Sequence, residues 1–336
     1  MDLATEYMGL NLRNPLVASA SPLSRTAAGV QRLADAGVGA VVLFSLFEEQ
    51  LRAEAAQNAR MADAGTESFP EALSYFPEGS DAEVGPDRYL SLLERAATAV
   101  DIPVIGSLNG VTAGGWIDCA RAIEDAGAAA IELNIYFVSG DPNMPGRDVE
   151  QRHVEILSRV KAAVNIPVAV KLGPHFSSTG HVARRLDEAG ADALVLFNRF
   201  LQPDIDAETL AMVSSIDLSR PEEARLPRTW IALLARRVNA SLAATTGVET
   251  GDDIAKYLLA GATVVMTASA LLRHGPEYAS TLLDGLSSWM NRKGFDSVND
   301  VRGMLAVPLG ADEAAHEREG YVSVVAAANR RDFGPW

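Results

Sequence analysis

One cysteine, Cys119, stands in a chain of 336 residues, which excludes an intrachain disulfide and a cysteine-held iron–sulfur cluster within this chain. Electrons, if handled here, need an organic cofactor. Basic residues are also scarce: 29 Lys and Arg against 44 Asp and Glu give a formal net charge of -15. That balance disfavours nucleic-acid binding, because neutralising phosphates takes clustered cations, and a small anionic substrate would need a local positive site. No apolar run approaches the length of a membrane span, and the opening MDLATEYMGLNLRNP lacks a basic stretch followed by an apolar one. These features predict a soluble, cytoplasmic protein that engages neither membrane nor nucleic acid.

What is present is apolar and periodic. Apolar side chains make up 48% of the chain, enough for a large core. Four segments share one grammar: AGVGAVVLF from Ala36, AGAAAIELN from Ala126, AGADALVLFN from Ala189 and AGATVVMTA from Ala260. Each reads as a helix end, a glycine stop and a short apolar run covered on both faces, as in parallel sheets. VDIPVIGSL from Val100 and VNIPVAVKL from Val164 begin strands with a proline where a missing N–H is tolerated. With PLVASA near Pro15 and NASLAATTG near Asn239 the count reaches eight, and amphipathic helical patterns lie between. Eight strands alternating with helices predict an α/β fold, a (β/α)8 TIM barrel over residues 1–336 as a single domain.

Two long excursions, at about 46–99 and 198–224, leave from C-terminal strand ends, the face where such barrels place active sites. They are expected to form part of a lid or subunit contact. A polar C-terminal extension runs from about residue 288.

Four groups of residues at that face carry chemistry. Thr246 and Gly247 follow the seventh strand, and Ala268 and Ser269 follow the eighth just before a helix, the setting in which backbone N–H groups hold a phosphate. Lys171 ends the fifth strand in apolar VAVKLGPHF; an ammonium aimed into a barrel mouth can neutralise an anionic cofactor or form a Schiff base. Asn109, Asn134 and Asn198 end apolar strands and can offer uncharged donors and acceptors to one planar ring or carboxylate. No metal site and no glycine-rich dinucleotide fingerprint is apparent, so NAD binding is not expected.

The ordered set NPLVASASPL from Asn14, IELN from Ile131, DPNMPG from Asp141, VAVKLGPHF from Val168, VLFN from Val195, TTGV from Thr245 and GATVVMTASALLRHGP from Gly261 resembles the dihydroorotate dehydrogenases. The pyrimidine domain of dihydropyrimidine dehydrogenase has a related pattern. The resemblance implies FMN held by its phosphate at Thr246, Gly247, Ala268 and Ser269, with Ser19, Ala20 and Ser21 under the ring, and Ser45 retained beside it. It places Lys171 near the flavin N1 and C2 oxygen, where its charge would favour reduced anionic flavin. Asn109, Asn134, Asn143 and Asn198 match asparagines that contact flavin or the pyrimidine ring and its carboxylate. Also implied are oxidation of dihydroorotate to orotate in pyrimidine biosynthesis, a cytoplasmic homodimer, and fumarate as the electron acceptor.

Two departures stand out. Phe44 occupies the place of a flavin-contacting lysine, and the run that carries the family's loop cysteine is replaced by Asn134-Ile135-Tyr136-Phe137-Val138-Ser139-Gly140-Asp141-Pro142-Asn143, with four residues inserted. The proton removed from substrate would then go to Ser139 or Asp141; Tyr136 is a poorer candidate because the reference value for tyrosine is about 10. Cys119 lies in a helical stretch remote from that loop and is read as a packed structural thiol. His175 is expected to be solvated, as are Glu48 and Glu49. Rival readings are a flavoenzyme acting on another cyclic substrate, a noncatalytic FMN-binding relative, and a flavin-free aldolase using Lys171.

Overall fold

The computed structural model describes residues 1–48, 86–110, 113–135, 137, 140–199, 203–213 and 217–310, with positions 318, 322, 323 and 325. The glycine stops of the repeated grammar take the left-handed conformation, as at Gly37 (φ 103°) and Gly261 (φ 118°), and turn each helix into the next strand. The strand-opening prolines accept without donating: Pro15, Pro103 and Pro167 carbonyls take the N–H groups of Val265, Val41 and Ile131 from adjacent strands.

All eight expected strands form: β1 (Leu16–Ala18), β2 (Ala40–Val42), β3 (Val104–Asn109), β4 (Ala130–Asn134), β5 (Val168–Leu172), β6 (Ala193–Leu196), β7 (Ser241–Ala244) and β8 (Val264–Thr267). Each pairs in parallel with the next, and β8 returns to β1 through Val265 opposite Leu16, which closes the barrel. The surrounding helices are α1 (Ala27–Asp35), α2 (Pro86–Ala99), α3 (Ala113–Asp125), α4 (Gly146–Lys161), α5 (Thr179–Glu188), α6 (Arg225–Leu234), α7 (Gly251–Ala260), α8 (Ser269–His274) and α9 (Tyr278–Lys293). This is the (β/α)8 architecture.

Strand alternation separates two cores. Ile131, Leu133, Val168, Val170 and Leu194 face the helices, whereas Val17, Val42, Ile105, Ala130, Ala169, Val195 and Met266 fill the barrel. Each buried Val or Leu contributes about 2 kcal/mol by leaving water. An N-terminal hairpin, Thr5–Tyr7 with Leu10–Leu12, covers the N-terminal end of the barrel, where Tyr7, Met8 and Leu12 join the interior cluster. Going up the barrel the inward rows turn polar with the same period of two: Ile105 gives way to Ser107 and Asn109, Ala130 to Glu132 and Asn134, and Ala169 to Lys171. Polar chemistry is thereby confined to the C-terminal mouth.

The second excursion contains an antiparallel hairpin, Asp204–Asp206 with Ala211–Val213, which exposes Ile205, Leu210 and Met212. Residues 49–85, 200–202 and 214–216 of the two excursions lie outside the described residues. The C-terminal extension is tied to the barrel's outer layer. Helix α9 runs through residue 288, and the N–H groups of Gly303, Leu305 and Val307 donate to the carbonyls of Leu258, Leu259 and Ala232. Among the described residues no helix is long and apolar enough to cross a membrane.

Candidate active site

A cavity of about 260 Å³ opens at the C-terminal mouth of the barrel. Ser19, Ala20 and Ser21 after β1, Lys171 at the end of β5, Asn198 after β6, and Thr246, Gly247, Ala268 and Ser269 after the last two strands all line it. Nine residues singled out from the sequence are thus brought together. Ser45 and Asn109 are not on this wall: Ser45 Oγ lies 2.8 Å from Ser107 Oγ, and Asn109 is buried at the end of β3.

Lys171 is 7% exposed, and its Nζ reaches Ser19 Oγ at 3.4 Å and Glu132 Oε1 at 3.2 Å. Glu132 itself is 1% exposed. Burying one charge is costly, and two buried charges are tolerated when paired. Glu132 was not among the residues singled out from the sequence, yet the signal is there: a carboxylate within apolar IELN, two positions before Asn134 and so on the same inward face. Its charge is felt by two phenols. Burial, and then the Glu132 carboxylate, pushes the Tyr7 hydroxyl well above its ordinary value; burial first, and Glu132 also, does the same at Tyr89.

The loops after β7 and β8 form a second polar pole. Thr246 and Gly247 both have positive φ, 84° and 70°, and the Tyr257 hydroxyl of α7 holds this turn by donating to Thr246 O at 2.7 Å. The Gly247 N–H donates to Ser219 Oγ at 3.1 Å, and Ser219 Oγ in turn donates to Ser269 Oγ at 2.9 Å. A Cβ on Gly247 would lie 2.8 Å from both Ala224 Cβ and Arg220 O, so only glycine permits this approach. Arg273 ion-pairs with Glu249 and donates to Ser219 O at 3.3 Å, fixing the excursion against the β7 loop. Ser219 escaped the sequence reading because nothing local marks it; it reaches the site through the fold of the excursion.

At the rim, Asn198 Nδ2 donates to Asn134 Oδ1 at 2.7 Å. Asp141 and Asn143 are exposed and close a turn of their own, with the Asn143 N–H and side-chain amide donating to Asp141 Oδ1 at 2.9 and 3.1 Å. Neither lines the cavity. Ser139 and Tyr136 lie outside the described residues. Among the described residues no group of His, Cys, Asp and Glu is placed to hold a metal.

A family model described as dihydroorotate dehydrogenase matches residues 2–290. The chain belongs to the dihydroorotate dehydrogenase family. It is 27% identical over 321 residues, 90% of this chain and 98% of the relative, to the dihydroorotate dehydrogenase B (NAD(+)) catalytic subunit of Methanothermobacter thermautotrophicus. It is 24% identical to the protein of the same name from Thermoplasma acidophilum over 90% of this chain and 98% of the relative. It is also 28% identical to the putative dihydroorotate dehydrogenase A (fumarate) of Aeropyrum pernix, over 63% of this chain and 70% of that one.

For a member of the dihydroorotate dehydrogenase family, the placements of Phe44, Glu48, Cys119 and His175 also matter. Phe44 is not a cavity residue: it packs in the layer between strands and helices, edge to face with Tyr89 at a centroid distance of 5.2 Å. Glu48 corrects the expectation of a solvated carboxylate, because it is 2% exposed. The missing side chain of Gly115 makes room for it, since a Cβ there would lie 2.4 Å from Glu48 Cδ. Glu49 lies outside the described residues. Cys119 is buried on α3, its thiol pushed up to about 12 by burial and then by Glu48 and Asp118, and His175 is exposed.

Proposed function

We propose that this chain is an FMN-dependent oxidoreductase acting on a CH–CH bond, and that it oxidises dihydroorotate to orotate. The observation that carries the reading is the two-pole cavity of a family member: a buried Lys171 ammonium at one wall, and at another the hydrogen-bond chain from the Gly247 N–H through Ser219 Oγ to Ser269 Oγ, which leaves the Ser269 hydroxyl to donate into the cavity. That donor set fits FMN. Gly247, Ser269 and the Thr246 and Ala268 backbone would hold the phosphate, while Ser19, Ala20 and Ser21 are small enough to sit against a flat ring. FMN supplies, when bound, a hydride acceptor that a second substrate reoxidises.

The chain's own side chains do the rest. Lys171 favours negative charge on a ring bound against it. Asn134 and Asn198 at the rim orient the substrate's polar edge and carboxylate, Asn143 from its exposed turn is proposed as a further substrate contact, and Asn109, buried at the end of β3, as a flavin contact. Ser139 or Asp141 takes the substrate proton. A Schiff-base role for Lys171 needs a neutral amine, and the pairing with buried Glu132 opposes it. We place the protein in the cytoplasm as a single-domain homodimer; the apolar side chains on the exposed hairpin support self-association. Fumarate, the acceptor in the name of the Aeropyrum pernix relative, is proposed as the acceptor of the isolated chain.

An anaerobic visible spectrum before and after adding dihydroorotate tests the reading. Flavin absorbance that dihydroorotate bleaches, and that fumarate then restores, is the expected result. Flavin that dihydroorotate leaves oxidised would overturn the substrate, and a protein that binds no FMN on reconstitution would overturn the cofactor.

A further inference from the structure

We propose that Glu132 is a positioning residue: its buried carboxylate keeps the Lys171 ammonium charged and aimed at the cavity wall beside Ser19. Three observations on two strands carry this. Glu132 and Lys171 are neighbouring inward residues of β4 and β5, each less than a tenth exposed, with Oε1 and Nζ 3.2 Å apart. The only other hydrogen bond that Nζ donates among the described residues is the longer one to neutral Ser19 Oγ, at 3.4 Å. Glu132 Oε2 is buried without a partner among the described residues, so Lys171 is the group that compensates this carboxylate there.

The other titratable groups facing Glu132 cannot take that role. Tyr7 comes from the N-terminal hairpin and Tyr89 from α2, and both phenols stay neutral in this buried setting. Among the described residues the pair is therefore a buried plus and minus with no other charge hydrogen-bonded to it. An ammonium left in low dielectric without its counter-ion sheds its proton, whereas a paired one keeps it. Backbone geometry adds aim to charge: Asn134 lies opposite Lys171 in the β4–β5 register, which puts Glu132 one inward position lower, beneath the lysine's head group.

The inference rests on the reading of the cavity as a flavin site for its consequence, though its test does not need flavin. Reductive methylation of the full chain with formaldehyde and cyanoborohydride, mapped by mass spectrometry, reports the free-amine fraction of Lys171 against exposed Lys293 as internal standard. In the wild type at about pH 8 Lys171, buried and paired with Glu132, should label much more slowly than exposed Lys293. In Glu132→Gln the ratio should rise about tenfold, while Glu132→Asp, which keeps the charge, should stay near wild type. An unchanged ratio in Glu132→Gln would overturn the proposal. So would a wild-type Lys171 that labels as readily as Lys293, a result that stands even if the glutamine variant does not fold.

The potential of the bound flavin then reads the consequence. Glu132→Gln and Lys171→Met should both make it more negative, since each removes the same positive charge. A Glu132→Gln protein that keeps the wild-type potential while Lys171→Met shifts it would sink the functional part. If no variant or wild type binds flavin, the cofactor reading fails and the labelling still decides the role of Glu132.

Discussion

Asn198 and Asn134 hold each other: the carboxamide nitrogen of the first donates to the carboxamide oxygen of the second at 2.7 Å, across the mouth between β6 and β4. The bond settles which end of each amide points inward to its partner. It leaves the Asn134 nitrogen as a donor and the Asn198 oxygen as an acceptor for a ring with alternating C=O and N–H groups. Asn198→Ala is expected to lower kcat/KM for dihydroorotate by about tenfold to a hundredfold, with FMN content unchanged. Stopped-flow bleaching of the flavin measures this, and a full wild-type rate would remove the pair from the substrate site.

The phosphate pole predicts a contrast between two substitutions. Ser219→Ala deletes the hydroxyl that joins the Gly247 N–H to Ser269 Oγ, at a cost of about 1 kcal/mol, and should weaken FMN binding about tenfold in a protein that remains folded. Gly247→Ala must force a methyl toward Arg220 O and Ala224 at a positive φ, and should cost about 1–3 kcal/mol of stability as well as the cofactor. Thermal unfolding together with FMN titration separates the two effects.

The loop substitutions Ser139→Ala and Asp141→Asn test which group takes the proton. The one that serves as base should lose about a hundredfold or more in the rate of flavin reduction, with little change in bound FMN. The exposed Asp141 already holds its turn through Asn143, so its replacement should also loosen the loop. If both variants reduce flavin at the wild-type rate, neither residue is the base.

His153 makes the fold sensitive to acid. Burial holds its imidazole below the ordinary range, and its Nδ1–H donates to Val149 O at 2.8 Å. Because the folded value lies below the unfolded one of about 6.5, the unfolded chain binds the proton first. The stability contributed is complete above about pH 6.5 and is lost as pH falls through the lowered folded value. Urea unfolding between about pH 7.5 and pH 5 should show a steeper loss for the wild type than for His153→Gln. Parallel curves would reject this source of the sensitivity.

Cys119 offers a check on the loop chemistry. With its thiol pushed up to about 12 by burial, it should resist iodoacetamide at about pH 8 until the protein unfolds. Cys119→Ala should reduce flavin at the wild-type rate, since the residue sits on α3 away from the cavity.

What the sequence by itself determined about this protein is everything governed by local rules. Left-handed glycines after helices, prolines at strand starts and short doubly covered apolar runs specify eight parallel strands and their order. They also specify which loops, and so which of Thr246, Gly247, Ala268, Ser269 and Lys171, arrive at one face. Side-chain partners were decided only by the tertiary structure. Lys171 meets Glu132 across 39 positions, Gly247 meets Ser219 across 28, and Ser219 meets Ser269 across 50. Glu48 looks solvated in the sequence and is buried because Gly115 leaves space, and Phe44, two positions past inward-facing Val42, leaves the strand alternation because β2 ends at Val42, and packs against Tyr89 in the helix-facing layer. The physical reason is the same throughout: periodicity and φ preference act within a few residues, whereas the pairing of buried charges and the register of neighbouring strands depend on which distant segments the closed barrel brings within hydrogen-bond reach.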